Sequence, residues 1–134
     1  MKRILKIIFI SIGALIFLSI IAYNIYAYKA SLEYEDFIPP KLPYVASPKE
    51  LIISVIRDEE YFTGSVNFKY LNLDKNKAEI KMRNNSIADD SIGDTEYYII
   101  AEKNEKGWKI VEYKAHSKCA RALFFNFWTT KACP

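Results

Sequence analysis

Few side chains in this 134-residue sequence are placed to do chemistry, and the densest group is acidic. Asp89, Asp90, Asp94 and Glu96 put four carboxylates into eight residues. A hard cation such as Ca²⁺ prefers carboxylate oxygens as ligands, but the spacing does not match an EF-hand loop. Aspartates in such segments commonly bond their own backbone. We therefore expect a solvated loop, with Asp89, Asp90 and Asp94 as weak metal candidates and with no bound metal or cofactor.

His116 is the only histidine in the sequence. A general base needs a nucleophile within reach. Its neighbour Ser117 would point to the opposite face of a strand, because successive side chains alternate. The four glycines are scattered, so no phosphate-binding loop is recognisable. We expect His116 to be a surface or partly buried imidazole, and we expect the protein not to be an enzyme.

Cys119 and Cys133 are the only cysteines. In an exported domain an even cysteine count indicates a disulfide, and closing a loop of this length stabilises the fold by about 3 kcal/mol. The alternative is a metal site, for which two cysteines and His116 supply too few ligands. The sequence contains no C-x-x-C motif, so redox catalysis is not indicated.

The most apolar stretch near the C-terminus, residues 123–128, is rich in aromatic side chains. Aromatic side chains dominate the hot spots of protein interfaces. If this stretch is exposed, it would bind a protein or enter the membrane interface; if buried, it completes a small core. The candidate interaction residues are Phe124, Phe125, Phe127 and Trp128.

These groups follow an N-terminal segment that determines where they act. Residues 7–28 carry no charge, and Lys2, Arg3 and Lys6 precede them. Roughly 20 apolar residues span a bilayer as a helix, and the flanking cations favour a cytoplasmic N-terminus. The alternative is a cleaved signal peptide, although its apolar core would be shorter. Both alternatives export the rest of the chain.

The predicted organisation has four parts. Residues 1–6 form a cytoplasmic tail, 7–28 a transmembrane anchor, 29–46 a stalk and 47–134 one periplasmic or extracellular domain. Without the three cations of the tail, sixteen basic residues balance sixteen acidic ones. A neutral exported part argues against nucleic acid as a partner, since nucleic-acid binding requires a basic surface. The membrane is the first partner, and a protein partner remains unidentified.

The domain reads as one helix followed by strands. Ser47, Pro48 and Glu50 form a capping box before an apolar stripe, which predicts a helix ending near Tyr61. Four strands follow, of which 77–83 alternates strictly between apolar and charged residues. Within 65–73 the apolar residues switch from even to odd positions, which suggests a bulge. The sequence predicts an α+β fold, with the helix packed on a curved antiparallel sheet of about four strands and a disulfide-closed tail.

The second half of the chain contains a recognisable pattern. Asp89-Asp90-Ser91 precedes a tyrosine-rich strand, and Gly107-Trp108, Lys118-Cys119, Trp128 and Cys133 follow. The pattern resembles small bacterial extracytoplasmic domains of uncharacterised function and covers roughly the last 45 residues. This resemblance implies an exported, disulfide-bonded fold and no particular activity.

Three classes of function remain open. A membrane-anchored extracytoplasmic interaction module without catalytic activity, such as an envelope or immunity-type binding protein, agrees best with the small size and single anchor. A structural pilin-like subunit also pairs an apolar helix with a C-terminal disulfide, but Lys6 is followed directly by apolar residues with no early Glu. A cone-shaped α+β domain could instead hold a small ligand or an active site between helix and sheet.

Overall fold

A computed structural model describes residues 2–58, 65–85, 92–120, 128–130 and 133. It confirms the α+β class: an apolar N-terminal helix, a second helix, an open antiparallel sheet and a Cys119–Cys133 disulfide. The elements are α1 (Lys2–Leu32), β1 (Glu35–Phe37), α2 (Pro48–Asp58), β2 (Ser65–Leu73), β3 (Lys77–Asn85), β4 (Ile92–Asn104) and β5 (Gly107–Cys119).

The first helix, α1, is long and apolar enough to cross a membrane. Its segment Ile7–Leu32 has a mean hydropathy of 2.3, and its most apolar window has no residue buried by the rest of the protein. The helix continues past the predicted span of 7–28 and ends four residues later. This geometry is compatible with a single-pass membrane or signal anchor.

The second helix, α2, begins at the predicted capping box. The Glu50 backbone N–H donates to Ser47 Oγ at 3.2 Å, and Glu50 Oε2 accepts from the Ala46 N–H at 3.1 Å. These bonds satisfy donors that the first helical turn leaves unpaired. Leu51, Ile52 and Val55 are fully buried against the sheet. The predicted end near Tyr61 lies outside the described residues.

The sheet has the order β1-β5-β4-β3-β2, and every neighbouring pair is antiparallel. The alternation predicted for β3 is confirmed, because Ala78, Ile80 and Met82 are fully buried. The predicted bulge in β2 lies between Tyr70 and Asn72. One face of the sheet packs on α2 and forms the core; we call the opposite one the outer face.

The structure has five strands rather than the predicted four. The additional strand, β1, lies within residues 29–46, for which we predicted a stalk. It pairs with β5 through Glu35 and Ala115, Asp36 and Lys114, and Phe37 and Tyr113. Its sequence has no strand signal, because two of its three residues are charged. In the structure all three residues are exposed. Pairing covers an edge of β5 that would otherwise present unpaired backbone groups.

The C-terminal tail returns to the same edge of β5. Thr129 forms a two-way backbone bridge with Ser117, with N···O distances of 2.9 and 2.8 Å. The disulfide closes beside this bridge. Both β1 and the tail therefore lie along the outer edge of the last strand.

Gly107 marks the start of β5 after a two-residue turn that joins it to β4. Its φ of +127° is one that L-residues rarely adopt, and an added Cβ would lie 2.6 Å from the Val45 carbonyl oxygen. The flanking Trp108 exchanges backbone hydrogen bonds with Val45. Glycine is therefore required where the segment before α2 crosses the hairpin.

We predict that Gly107→Ala lowers the free energy of unfolding of the full-length protein by about 1–3 kcal/mol, because it adds both backbone strain and a clash. Denaturant titration in detergent micelles, followed by Trp108 fluorescence, measures the change. Gly93→Ala is the matched control, since its nearest neighbours would lie at an ordinary contact distance of 3.6 Å. Equal losses in the two variants would contradict the prediction.

Candidate functional site

A polar and aromatic cluster occupies the outer face near the end of α1. Glu96 of β4 and His116 of β5 lie directly opposite each other in the sheet register. Lys81 and Arg83 of β3 share this face, because alternate residues of a strand point the same way. Tyr34 approaches from the connection between α1 and β1. The sheet therefore brings a carboxylate, an imidazole and two cations together near the ring of Tyr34.

His116 is the centre of this cluster and has no exposed side-chain surface. The Tyr34 ring stacks on one side, with centroids 4.0 Å apart and planes 18° apart. The Trp128 ring stacks as well, at 4.6 Å and 14°. We call Tyr34, His116 and Trp128 the stacked cluster. The prediction of a surface or partly buried imidazole was wrong, because residues remote in sequence cover the ring.

Glu96 accepts three hydrogen bonds or ion pairs beside this stack. The Tyr34 hydroxyl donates to Glu96 Oε1 at 2.7 Å, and Lys81 Nζ lies 2.8 Å from the same oxygen. Burial alone would raise the pKa of Glu96, but the bonds from His116, Lys81 and Tyr34 outweigh it and lower the pKa to about 2. Glu96 is therefore an anion across the physiological pH range.

Both ring nitrogens of His116 face acceptors. Nδ1 lies 2.9 Å from the Glu33 carbonyl oxygen, and Nε2 lies 3.2 Å from Glu96 Oε1. A carbonyl oxygen and an ionised carboxylate are both hydrogen-bond acceptors, so both ring nitrogens are engaged within the protein.

The partners of Glu96 are affected in turn. Burial and the hydrogen bond to Glu96 raise the pKa of the Tyr34 hydroxyl to about 12. For Lys81, burial opposes the charged form, but the bonds to Glu96 and Tyr34 outweigh it and raise the pKa. Tyr34 therefore stays a neutral donor and Lys81 stays a cation.

Two cations, Arg83 and Lys118, lie beside the Trp128 ring. The Arg83 guanidinium carbon lies 5.1 Å from the indole centroid, and Lys118 Nζ lies 5.0 Å from it. Arg83 also pairs with Asp94 at 2.6 Å. Cations at such distances are attracted to the face of an indole ring. The backbone bridge of Thr129 to Ser117 holds Trp128 in this position.

The stacked cluster engages both nitrogens of His116 within the protein, one facing the Glu33 carbonyl oxygen and the other facing Glu96. Ser117 points to the opposite face of the sheet, as expected, where its hydroxyl shares a hydrogen bond of 3.0 Å with Thr95. Ser117 is therefore not placed to act as a nucleophile beside the imidazole.

A second feature is a cleft on the α2 side of the sheet, between the edge of β5 and the C-terminal tail. Its volume is about 540 Å³, within the range of small-molecule sites. The stacked rings of Tyr97 and Tyr113, with centroids 5.4 Å apart, form part of its wall. The rest of its described lining consists of Glu35, Phe37, Ile92, Thr95, Ala115, His116, Ser117, Thr129, Thr130 and Cys133.

The predicted site residues are distributed as follows. Cys119 and Cys133 form the disulfide. Trp128 is half-buried in the stacked cluster, whereas Phe124, Phe125 and Phe127 lie outside the described residues. Asp94 pairs with Arg83, and Asp89 and Asp90 lie outside the described residues. Within the part of the chain that the structure describes, no group of three or more His, Cys, Asp or Glu side chains could hold a metal ion.

Sequence reasoning missed the stacked cluster because its members are far apart along the chain. Tyr34 and Glu96 are separated by 62 positions, and His116 and Glu33 by 83. The one available signal was that His116 and Glu96 both fall on predicted strands, but their register could not be read locally.

We predict that Glu96→Gln lowers the free energy of unfolding at neutral pH by about 2 kcal/mol, because His116 and Lys81 lose their shared anion. The folded-state pKa of Glu96 is depressed from 4.5 to about 2. Its contribution is therefore fully present above about pH 4.5 and is lost as the pH falls toward about 2. The stability difference between wild type and variant should shrink over the same interval.

Denaturant titrations of the full-length protein from neutral to acidic pH measure this difference. Glu102→Gln is the matched control, since Glu102 lies on the same strand and face but is exposed. A difference that stays constant down to about pH 2, or an equal loss in the control, would show that the Glu96 charge is not what matters.

Comparison with known proteins finds no match: no family model, no curated protein and no solved structure is significantly similar to this chain. Function therefore has to be argued from the geometry of the chain itself.

Proposed function

We propose that this chain is a single-pass membrane protein whose domain lies outside the cytoplasm and binds a partner without catalysing a reaction. The observation that carries the proposal is the junction between α1 and the sheet. Only Glu33 and Tyr34 separate the two elements, and both contact His116. Such a junction suits a domain that presents a binding surface at a fixed height above a membrane.

The membrane part of the proposal rests on α1. Its large apolar side chains from Ile7 to Leu18 are 49–70% exposed, which would be unfavourable in water. A bilayer covers such a surface and requires the backbone to be helical. Lys2, Arg3 and Lys6 at the start of the chain favour a cytoplasmic N-terminus, which puts the sheet on the other side.

The disulfide supports the same orientation. Cytosolic thiols are kept reduced, whereas disulfides persist in oxidising compartments. Cys119 and Cys133 are bonded, and the described chain has no free cysteine. The location of the domain and the redox state of its cysteines therefore agree.

The absence of catalysis is supported by the way the one histidine is used. Its ring is fully buried and both nitrogens are occupied by Glu33 and Glu96. A general base must reach the proton that it removes. His116 instead stabilises the junction, so the cleft is the better candidate for contact with a partner.

A second candidate function is the binding of a small molecule in that cleft. Its volume of about 540 Å³ and its tyrosine wall favour this alternative. The hydroxyls of Thr95 and Thr129 and the carboxylate of Glu35 would then orient the ligand. A protein partner and a small ligand can be distinguished by the mass of what binds.

We predict that the two cysteines of the full-length protein are unreactive in intact membranes until a reductant is added. Maleimide-polyethylene glycol labelling before and after reduction, read as a gel shift, measures this. Reactive thiols without reduction would place the domain in a reducing compartment and contradict the proposed location.

We predict that a photo-crosslinking amino acid at Phe37 captures one discrete partner in membranes. Phe37 is 50% exposed and lines the cleft. Tyr44 is the matched control position, because it is an aromatic residue 42% exposed on the same segment but is not part of the cleft lining. Mass spectrometry of the adduct distinguishes a protein from a small ligand. Equal capture from both positions, or none from Phe37, would argue against the cleft as the binding site.

A further inference from the structure

The connection between α1 and β1 limits how far the domain can stand from a bilayer. Leu32 is the last helical residue, and β1 begins at Glu35. A helix rises 1.5 Å per residue and an extended chain about 3.4 Å. The Cα atom of Tyr34 therefore lies within about 13 Å of that of Tyr28. Tyr28 closes the uncharged run, where tyrosines commonly mark the membrane–water interface.

One face of the last turns of α1 carries half-buried residues. Tyr23, Ala27 and Ala30 are half-buried, at spacings of four and three residues that define one helical face. His116 of β5 lies 2.9 Å from the Glu33 carbonyl oxygen, so the sheet contacts the chain directly after α1.

The stacked cluster links Trp128 to the connection that follows α1. His116 alone separates its ring from that of Tyr34, through stacking distances of 4.6 and 4.0 Å. Arg83 and Lys118 flank the indole at 5.1 and 5.0 Å. We call Trp128, Arg83 and Lys118 the headgroup patch. Tryptophan and long cationic side chains are the residues that favour the interface of a membrane.

The charge around the headgroup patch is positive. Three cations, Lys81, Arg83 and Lys118, lie around two carboxylates, Asp94 and Glu96. Within the described chain, no carboxylate lies at ion-pair distance from Lys118, whose ammonium lies over the indole face. The part of the chain after the three N-terminal cations is neutral, so this excess is local.

We propose that the headgroup patch docks onto anionic lipid headgroups beside the anchor, so that the domain contacts the bilayer at a second place. This inference rests on the proposed membrane anchoring and adds a lipid partner to it. Lipid phosphates would lie against Lys118 and Arg83, with Trp128 at the interface. Each cation near an anionic surface should strengthen docking about five-fold.

Trp128 fluorescence tests this proposal in the full-length protein. The protein is placed in nanodiscs that contain a lipid with a nitroxide on its headgroup. The remaining lipid is either phosphatidylcholine alone or phosphatidylcholine mixed with anionic phosphatidylglycerol. Trp128 should be quenched more strongly in the anionic discs, and high salt should remove the difference. Trp128→Phe leaves the buried Trp108, 5% exposed, as the background signal.

Lys118→Gln should reduce the docking equilibrium constant in anionic discs about five-fold. Arg83→Gln should act in the same direction, but it also breaks the pair with Asp94, so Lys118 is the decisive position. Lys109→Gln is the matched control, since Lys109 is an exposed cation beside Trp108 at the far end of the same strand. Circular dichroism verifies that each variant is folded.

The outcomes separate the two proposals. Release of the protein from the discs would overturn the membrane anchoring itself. Stable insertion with the same Trp128 quenching in neutral and anionic discs would overturn the headgroup patch alone. An unchanged docking constant in Lys118→Gln, or an equal loss in Lys109→Gln, would also overturn it.

Discussion

The two hydrogen bonds of one buried imidazole determine how the anchor and the domain are joined. His116 Nδ1 lies 2.9 Å from the Glu33 carbonyl oxygen, just after α1, and its Nε2 lies 3.2 Å from Glu96 Oε1 on β4. The backbone connection is only two residues long, so the side chain adds a second attachment at the same place. A long flexible linker would let a domain sample many heights above a bilayer. Here the short connection and the His116 contact keep the sheet next to the end of α1.

The polar network at this junction is favourable only when all of its hydrogen bonds and ion pairs are formed. Burying an imidazole or a carboxylate without partners is costly, and a partly satisfied polar network is worse than an apolar one. Glu96 receives bonds from Tyr34, Lys81 and His116, and these bonds keep its pKa near 2 despite burial. Tyr34 and Trp128 exclude water from the His116 ring. The network therefore specifies one relative position of α1, β4 and β5 more than it adds stability.

The parts of the fold that depend on local sequence were predictable. The capping box at Ser47 specified the start of α2, and strict alternation identified the buried face of β3. The cysteine count predicted the disulfide. In contrast, β1 has three residues with no strand pattern and exists because the edge of β5 is available. The stacked cluster depends on strand register and on contacts over 62 and 83 positions, which no local pattern encodes.

The alternation of side chains along β4 and β5 links the two candidate surfaces. His116 and Glu96 face outward to the stacked cluster, whereas their neighbours Ala115, Ser117, Thr95 and Tyr97 face the cleft. Any shift of the β4 and β5 backbone that repositions one surface also moves the other, because alternate side chains of the same strands form both. Since the two surfaces lie on opposite faces, contact of the outer face with headgroups would leave the cleft open to a partner. The same sheet end can thus be held at a membrane and still bind on its other side.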